Sequence, residues 1–424
     1  MNEDFSTPLW LLSPLAVLGA GLMLALVLGM LLQRFKVPKL YGAVLAGLLL
    51  GATGGNLIDR PLLAQFQELL NAASALVLFE VGRKMDLAWL LKSGRQGGSL
   101  LLATLARFVA VAVTLRLLGL PWGASIFIAS ILIAVNPVIV NSMAADENAS
   151  GTSTFATANM VGLSSLVALL MLALTMAWTR SQGVDAGTGQ GAGFGEELMR
   201  QGGKLVLGAA IALLSYGLYA AATRLCKVPA TMRPGMLLAA LLIDLGLCSV
   251  SAASSLLSLL LMGLLLRNVE RRDNVFQAQL KTAQDIGYVL LFLMSAALVD
   301  LQGLAQGWTM LGALAVFAVR ILATRAALAP ATAWDRNKKH AMALQMCSLV
   351  SYGGLVVDTT LNAYTGLDPA SSEMMGALLA LNVLLAPGLT WLGLRMAGET
   401  YRQEARQGAP HEERSVGYKE EMKA

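Results

Sequence analysis

The chain has 424 residues, 56% of them hydrophobic and only 13% charged, with a net charge of +5 and a mean hydropathy of +0.64. Soluble domains carry roughly 25% charged residues, so this composition excludes a soluble domain and points to a membrane protein of many spans. The positive balance comes from loops and tail, so it speaks to orientation in a bilayer and not to nucleic acid.

Cys226, Cys248 and Cys347 are scattered, without metal-ligand spacing. The two histidines, His340 and His411, fall in a loop and in the tail. No metal set and no Ser-His-Asp arrangement can be assembled, so neither an enzyme nor a cofactor is expected. The start of the chain lacks the basic region of a signal peptide, so the first helix is expected to be retained.

Taken in order, the apolar runs predict an all-α fold of about thirteen spans. They cover residues 10–33, 39–56, 63–82, 98–119, 122–144, 152–178, 205–223, 234–250, 251–266, 283–303, 306–324, 340–363 and 371–394. The split between the eighth and ninth is the least marked. Residues 1–180 form one transmembrane half and residues 205–398 the other. The Gly-rich stretch 181–204 reads as a linker between them. Residues 399–424 form a polar tail. With the N-terminus outside, 24 of the 31 basic residues fall in cytoplasmic loops and tail. The positive-inside rule therefore predicts N-out and C-in, in a bacterial inner membrane.

Asn136-Pro137 sits in the middle of the fifth span. Proline has no N–H to donate and its ring clashes with the preceding turn, so the helix should kink or break there. A broken membrane helix beside an Asn is a candidate ion or substrate site; a plain proline kink is the simpler account. The twelfth span carries Gly353-Gly354 at comparable depth, which weakens a helix. Each interrupted span is second from the end of its half. The two run in opposite directions, as an inverted-topology repeat requires.

Four passages together resemble the cation:proton antiporter (sodium/hydrogen exchanger) superfamily: LGMLLQRFKVPKLYGAVLAGLLLG at 28–51, LFEVGRKMD at 78–86, AVNPVIV at 134–140 and VLLFLMSAALVD at 289–300. The resemblance extends to about Gly398. It implies two inverted repeats with crossed, broken helices, and a core domain that moves against a dimerisation domain. A homodimer in the lipid bilayer is expected on the same ground. It also implies that a proton and a monovalent cation, sodium or potassium, compete for one or two carboxylates on the helix after the first break. This chain departs there: it reads Leu163-Ser164-Ser165-Leu166 where the family has its acids. A serine hydroxyl does not titrate, although it can offer oxygen to a desolvated ion.

Ionisable residues at bilayer depth are functional candidates. Glu80 sits where the family has an apolar residue, and Arg83, three positions on, is its local partner in the simpler reading. Lys84 should snorkel to the interface. Arg107 needs a partner, either Glu80 or a carbonyl. Asp358, a turn past Gly353-Gly354, is the leading candidate for a relocated carboxylate. Asp244 is expected to pair across helices on the dimerisation side; Asp285 and Asp300 should be interfacial. The resemblance makes Arg320 the residue that pairs with the core acid or steadies the breaks; snorkelling is the alternative. Gly47-x-x-x-Gly51 reads as close helix packing.

The candidate ion or substrate site is therefore Asn136, Pro137, Ser164, Ser165, Asp358, Arg320 and Glu80. The expected function is a secondary transporter exchanging a monovalent cation for protons. The alternatives are a transporter of the same fold without proton coupling, using neutral ligands, and a non-transporting membrane sensor or scaffold.

Overall fold

The computed structural model describes residues 13–35, 37–181, 193–229, 231–270, 274–299, 307–349 and 368–400. Among them every regular element is a helix. In chain order these are α1 (Pro14–Arg34), α2 (Leu40–Leu50), α3 (Arg60–Gln65), α4 (Gln67–Lys84), α5 (Leu87–Lys92), α6 (Gly94–Leu117), α7 (Trp122–Leu132) and α8 (Pro137–Asp146). They continue with α9 (Thr152–Ser181), α10 (Phe194–Leu225), α11 (Arg233–Ser251), α12 (Ser255–Glu270), α13 (Asn274–Ala297), α14 (Gly307–Ala327), α15 (Arg336–Gln345) and α16 (Pro369–Ala397).

Eight spans among the described residues are long and apolar enough to cross a bilayer, counting Trp122–Asp146 as one. Leu40–Leu50 and Ser255–Val269 are shorter apolar helices. The thirteen expected spans include stretches outside the described residues, and α4 is left out of the eight because it carries Glu68, Glu80, Arg83 and Lys84. The eighth and ninth spans do separate, because Ala252 turns left-handed (φ 53°) and ends α11. α10 begins at Phe194, inside the expected linker. Its first turn is held by Glu197, which accepts from Arg200 Nη2 and Gln201 Nε2, both at 2.7 Å.

The helices pack as two bodies. One contains α1, α2, α4 and α10–α13; the other contains α6–α9 and α14–α16. Contacts of α9 with α4 and α10 join them. Close packing replaces the hydrophobic effect inside a bilayer, and α2 shows how. A Cβ on Gly47 would collide with Leu293 O of α13, and one on Gly51 with Ala297 O. Outward-facing Leu15, Met23, Met30 and Leu31 of α1 suit a lipid surround.

Each half ends in the same triplet. A long helix carries one buried arginine (α6, α14), a short helix that ends in irregular backbone follows (α7, α15), and a long helix closes the set (α9, α16). A common register of 213 residues takes Leu132, the last residue of α7, to Gln345, the last of α15, and takes Arg107 to Arg320.

The two halves are tied at one end. Glu399, just past α16, accepts from Ser153 N at 2.9 Å and Thr154 N at 2.8 Å, capping α9. Ser153 Oγ, Thr154 Oγ1 and Lys338 Nζ complete its shell. Glu399 thus belongs to the folded body and not to the tail.

Candidate functional site

The first interruption is built locally. α7 stops at Leu132, and four residues, Ile133–Asn136, separate it from α8. Pro137 is the first residue of α8, where its fixed φ is helical and its missing N–H is no loss. Asn136 is the N-cap: its side-chain oxygen accepts from Val138 N at 3.0 Å. The Asn-Pro pair therefore starts a new helix as well as ending the old one. Both residues are fully enclosed by protein, as a membrane interruption requires.

The second interruption begins earlier than expected. α15 ends at Gln345, eight residues before Gly353. Residues 346–349, Met-Cys-Ser-Leu, contain neither proline nor glycine. Side chains from other helices hold them open. Arg320 Nη2 donates to Ser348 O at 3.0 Å and Met346 O at 3.3 Å. Arg107 Nη1 donates to the same Met346 O at 3.1 Å. Asn382 of α16 treats Leu349 as a strand would: its Oδ1 accepts from Leu349 N at 2.7 Å and its Nδ2 donates to Leu349 O at 3.0 Å. Gly353, Gly354 and Asp358 lie outside the described residues, as does Asp300.

Arg320 also donates through Nη1 to Leu132 O, the last carbonyl of α7. One guanidinium thus bonds carbonyls at both interruptions and holds them side by side. A helix C-terminus carries roughly half a negative charge, so a cation between two such ends is well placed. Arg320 is wholly buried and does not snorkel. Arg107 is equally buried, and its partner is a carbonyl and not Glu80.

Ser164 and Ser165 are both buried in α9, and Ser165 lies close to the first interruption. Both hydroxyls donate to Val161 O, at 2.8 and 3.0 Å. That leaves oxygen lone pairs available as acceptors. Ser165 lines a cleft between the two bodies with Ser130 and Ile131 of α7 and Ala134 of the first interruption. Leu78 of α4 and Leu256 and Leu260 of α12 form the facing wall. Ser130 Oγ and Thr175 Oγ1 share a 2.8 Å hydrogen bond behind it.

Glu80 is buried in α4 but is not brought to the serines. Its carboxylate takes a hydrogen bond from Tyr288 Oη of α13 and an ion pair from Lys84 Nζ at 2.7 Å. Lys84, the i,i+4 lysine, makes this ion pair while its side chain stays partly exposed. Asn141, a turn into α8, sits against Tyr288. Asp244 pairs across helices with Ser258 Oγ at 2.7 Å, as expected.

Asn382 escaped the sequence reading, whereas Arg107 was expected to need Glu80 or a carbonyl and takes the carbonyl of Met346. No signal marks Asn382, because an Asn in a long apolar helix looks like any tolerated polar residue.

The sodium/hydrogen exchanger transmembrane family model matches residues 22–390. The chain belongs to the sodium/hydrogen exchanger family. It is thus a multi-pass membrane transport protein and not an enzyme. No curated protein matches it by sequence. Two structures of the sodium proton antiporter MjNhaP1 from Methanocaldococcus jannaschii share its fold. One, at pH 8, has a TM-score of 0.66 at 17% identity, covering 91% of this chain and 99% of that one. The other, an electron-microscopy map, has a TM-score of 0.63 at 16% identity, covering 88% and 96%. At such identity the likeness carries the fold alone, so the serines of this sodium/hydrogen exchanger must be judged on their own geometry.

Proposed function

We propose that this sodium/hydrogen exchanger homologue moves a monovalent cation, sodium or potassium, against protons by alternating access, as a homodimer in a bacterial inner membrane. The observation that carries the reading is Arg320 bonded to carbonyls of both interruptions beside a cleft between two bodies. A desolvated alkali cation needs oxygen ligands, and freed backbone carbonyls with Ser164 and Ser165 offer them. The cleft runs along the boundary where one body would slide past the other.

Neither serine can carry the exchanged proton. A carboxylate elsewhere has that task, with Asp358 ahead of Glu80. Glu80 already holds Lys84 and Tyr288, so its release would have to break an ion pair. A second reading keeps the fold but drops proton coupling. It is favoured by one observation: the crossing holds two buried guanidiniums, and among the described residues neither makes an ion pair with a carboxylate.

The test is a proteoliposome assay with an internal pH dye, challenged with sodium, potassium and lithium. Cation-driven proton movement that Asp358→Asn abolishes supports exchange. Cation flux without proton movement selects the neutral-ligand transporter. No flux of any of the three ions sinks both.

A further inference from the structure

Away from the crossing, the junction of α10, α11 and α12 encloses another carboxylate. Asp244 lies near the middle of α11 and is fully buried. Ser258 Oγ of α12 donates to its Oδ1 at 2.7 Å. Its Oδ2 has no hydrogen-bond partner among the described residues. Ser215 Oγ of α10 is likewise buried and without a partner among them. That hydroxyl lies beside the carboxylate but outside hydrogen-bonding geometry. Two buried oxygens without a geometric hydrogen bond among the described residues therefore sit next to each other, close enough for Ser215 to act on the carboxylate.

No basic group among the described residues of α10, α12, α4 or α13 acts on Asp244. Cys248, one turn along α11, is the titratable neighbour that shares its surroundings. A bare carboxylate at this depth is costly, and an unmade hydrogen bond adds to the cost. Two kinds of ligand remove both. A proton on Oδ2 turns that atom into a donor, and a small shift lets Ser215 Oγ accept it. A small monovalent cation among Oδ1, Oδ2, Ser215 Oγ and Ser258 Oγ neutralises the charge with hard oxygen ligands, the type that alkali and alkaline-earth ions prefer.

We propose that Asp244, Ser215 and Ser258 form an ion site separate from the crossing, which holds either a proton or a small monovalent cation. The two occupants exclude each other, because each uses Oδ2. The site stands whether or not the crossing transports ions, so a failure of transport in proteoliposomes leaves it intact.

Infrared difference spectroscopy on the purified full chain in lipid reads the site directly. Sodium added at mildly acidic pH should remove a protonated-carboxyl C=O band from the wild type. Asp244→Asn should lose both the band and its response. Ser215→Ala should keep the band and need several-fold more sodium to remove it. Bound radioactive sodium should fall by one ion per chain in Asp244→Asn. The proposal is overturned if Asp244→Asn removes no part of the sodium-sensitive carboxyl band of the wild type, or if sodium leaves every carboxyl band of the wild type unchanged; a residual sodium-sensitive band in Asp244→Asn belongs to a carboxylate of the crossing. Should Asp244→Asn fail to fold, Ser215→Ala decides alone: an unshifted sodium titration overturns the proposal.

Discussion

The two interruptions look alike in outline and are held in opposite ways. The first is written into its own segment: Pro137 starts α8 and Asn136 caps it. The second carries no helix breaker between Met346 and Leu349 and depends on Arg107, Arg320 and Asn382 from three other helices. A helix can therefore be broken by local chemistry or by distant donors that outbid its own hydrogen bonds. The distinction matters because a buried carbonyl or amide left without a partner costs about 1–3 kcal/mol.

The largest effect should come from Arg320, the one side chain that serves both sides of the comparison. Arg320→Ala orphans Leu132 O and Ser348 O and leaves Met346 O to Arg107. It should abolish ion uptake into proteoliposomes while the protein still elutes as folded in detergent. Wild-type rates in that variant would show that the crossing does not need its bridge.

Arg107→Met is next. It removes the bond to Met346 O, which Arg320 still reaches, and a long one to Thr104 Oγ1 within its own helix. Uptake should fall severalfold without vanishing, and melting should drop by less than in Arg320→Ala. Equal losses in the two variants would break the ranking and make the arginines a single unit.

A matched pair then separates the two interruptions. Asn382→Leu should cost about 1–3 kcal/mol and speed hydrogen exchange at the Leu349 amide while sparing Val138. Asn136→Ala should cost about 1 kcal/mol and do the reverse. Faster exchange at both sites in either variant would mean that the interruptions open together.

The smallest effect should belong to the serines. Ser165→Ala, which strips a hydroxyl from the cleft, should weaken apparent cation affinity about tenfold or less. Ser164→Ala, deeper in the packing, should weaken it less. An unchanged affinity in both would remove the hydroxyls from the ligand set.

These differences in origin also explain what could be read before the fold was known. Composition and apolar runs announced a helical membrane protein, since a bilayer admits little else. Asn136-Pro137 was legible because its chemistry acts within one turn. Arg320 stood out as a charge at bilayer depth, and Arg107 asked for a partner that only three dimensions could name. The second interruption was looked for at Gly353-Gly354 because flexibility is what a sequence displays. Its actual start, at Met346, is set by Asn382 and two arginines that lie 26 or more residues away. Lys84, expected at the interface, pairs with the carboxylate a turn before it while staying partly exposed.

The clamp at Glu399 bears on how the protein is made. Residues 152–154 open the last helix of the first half, but the carboxylate that caps them is synthesised almost 250 residues later. Leu132 O waits in the same way for Arg320. These backbone groups of the first half therefore lack their final partners until the second half has been made. Truncation after Gly398 should leave α9 permanently in that provisional state, whereas truncation after Thr400 should not. The start of α9 thus depends on a residue close to the end of the described chain.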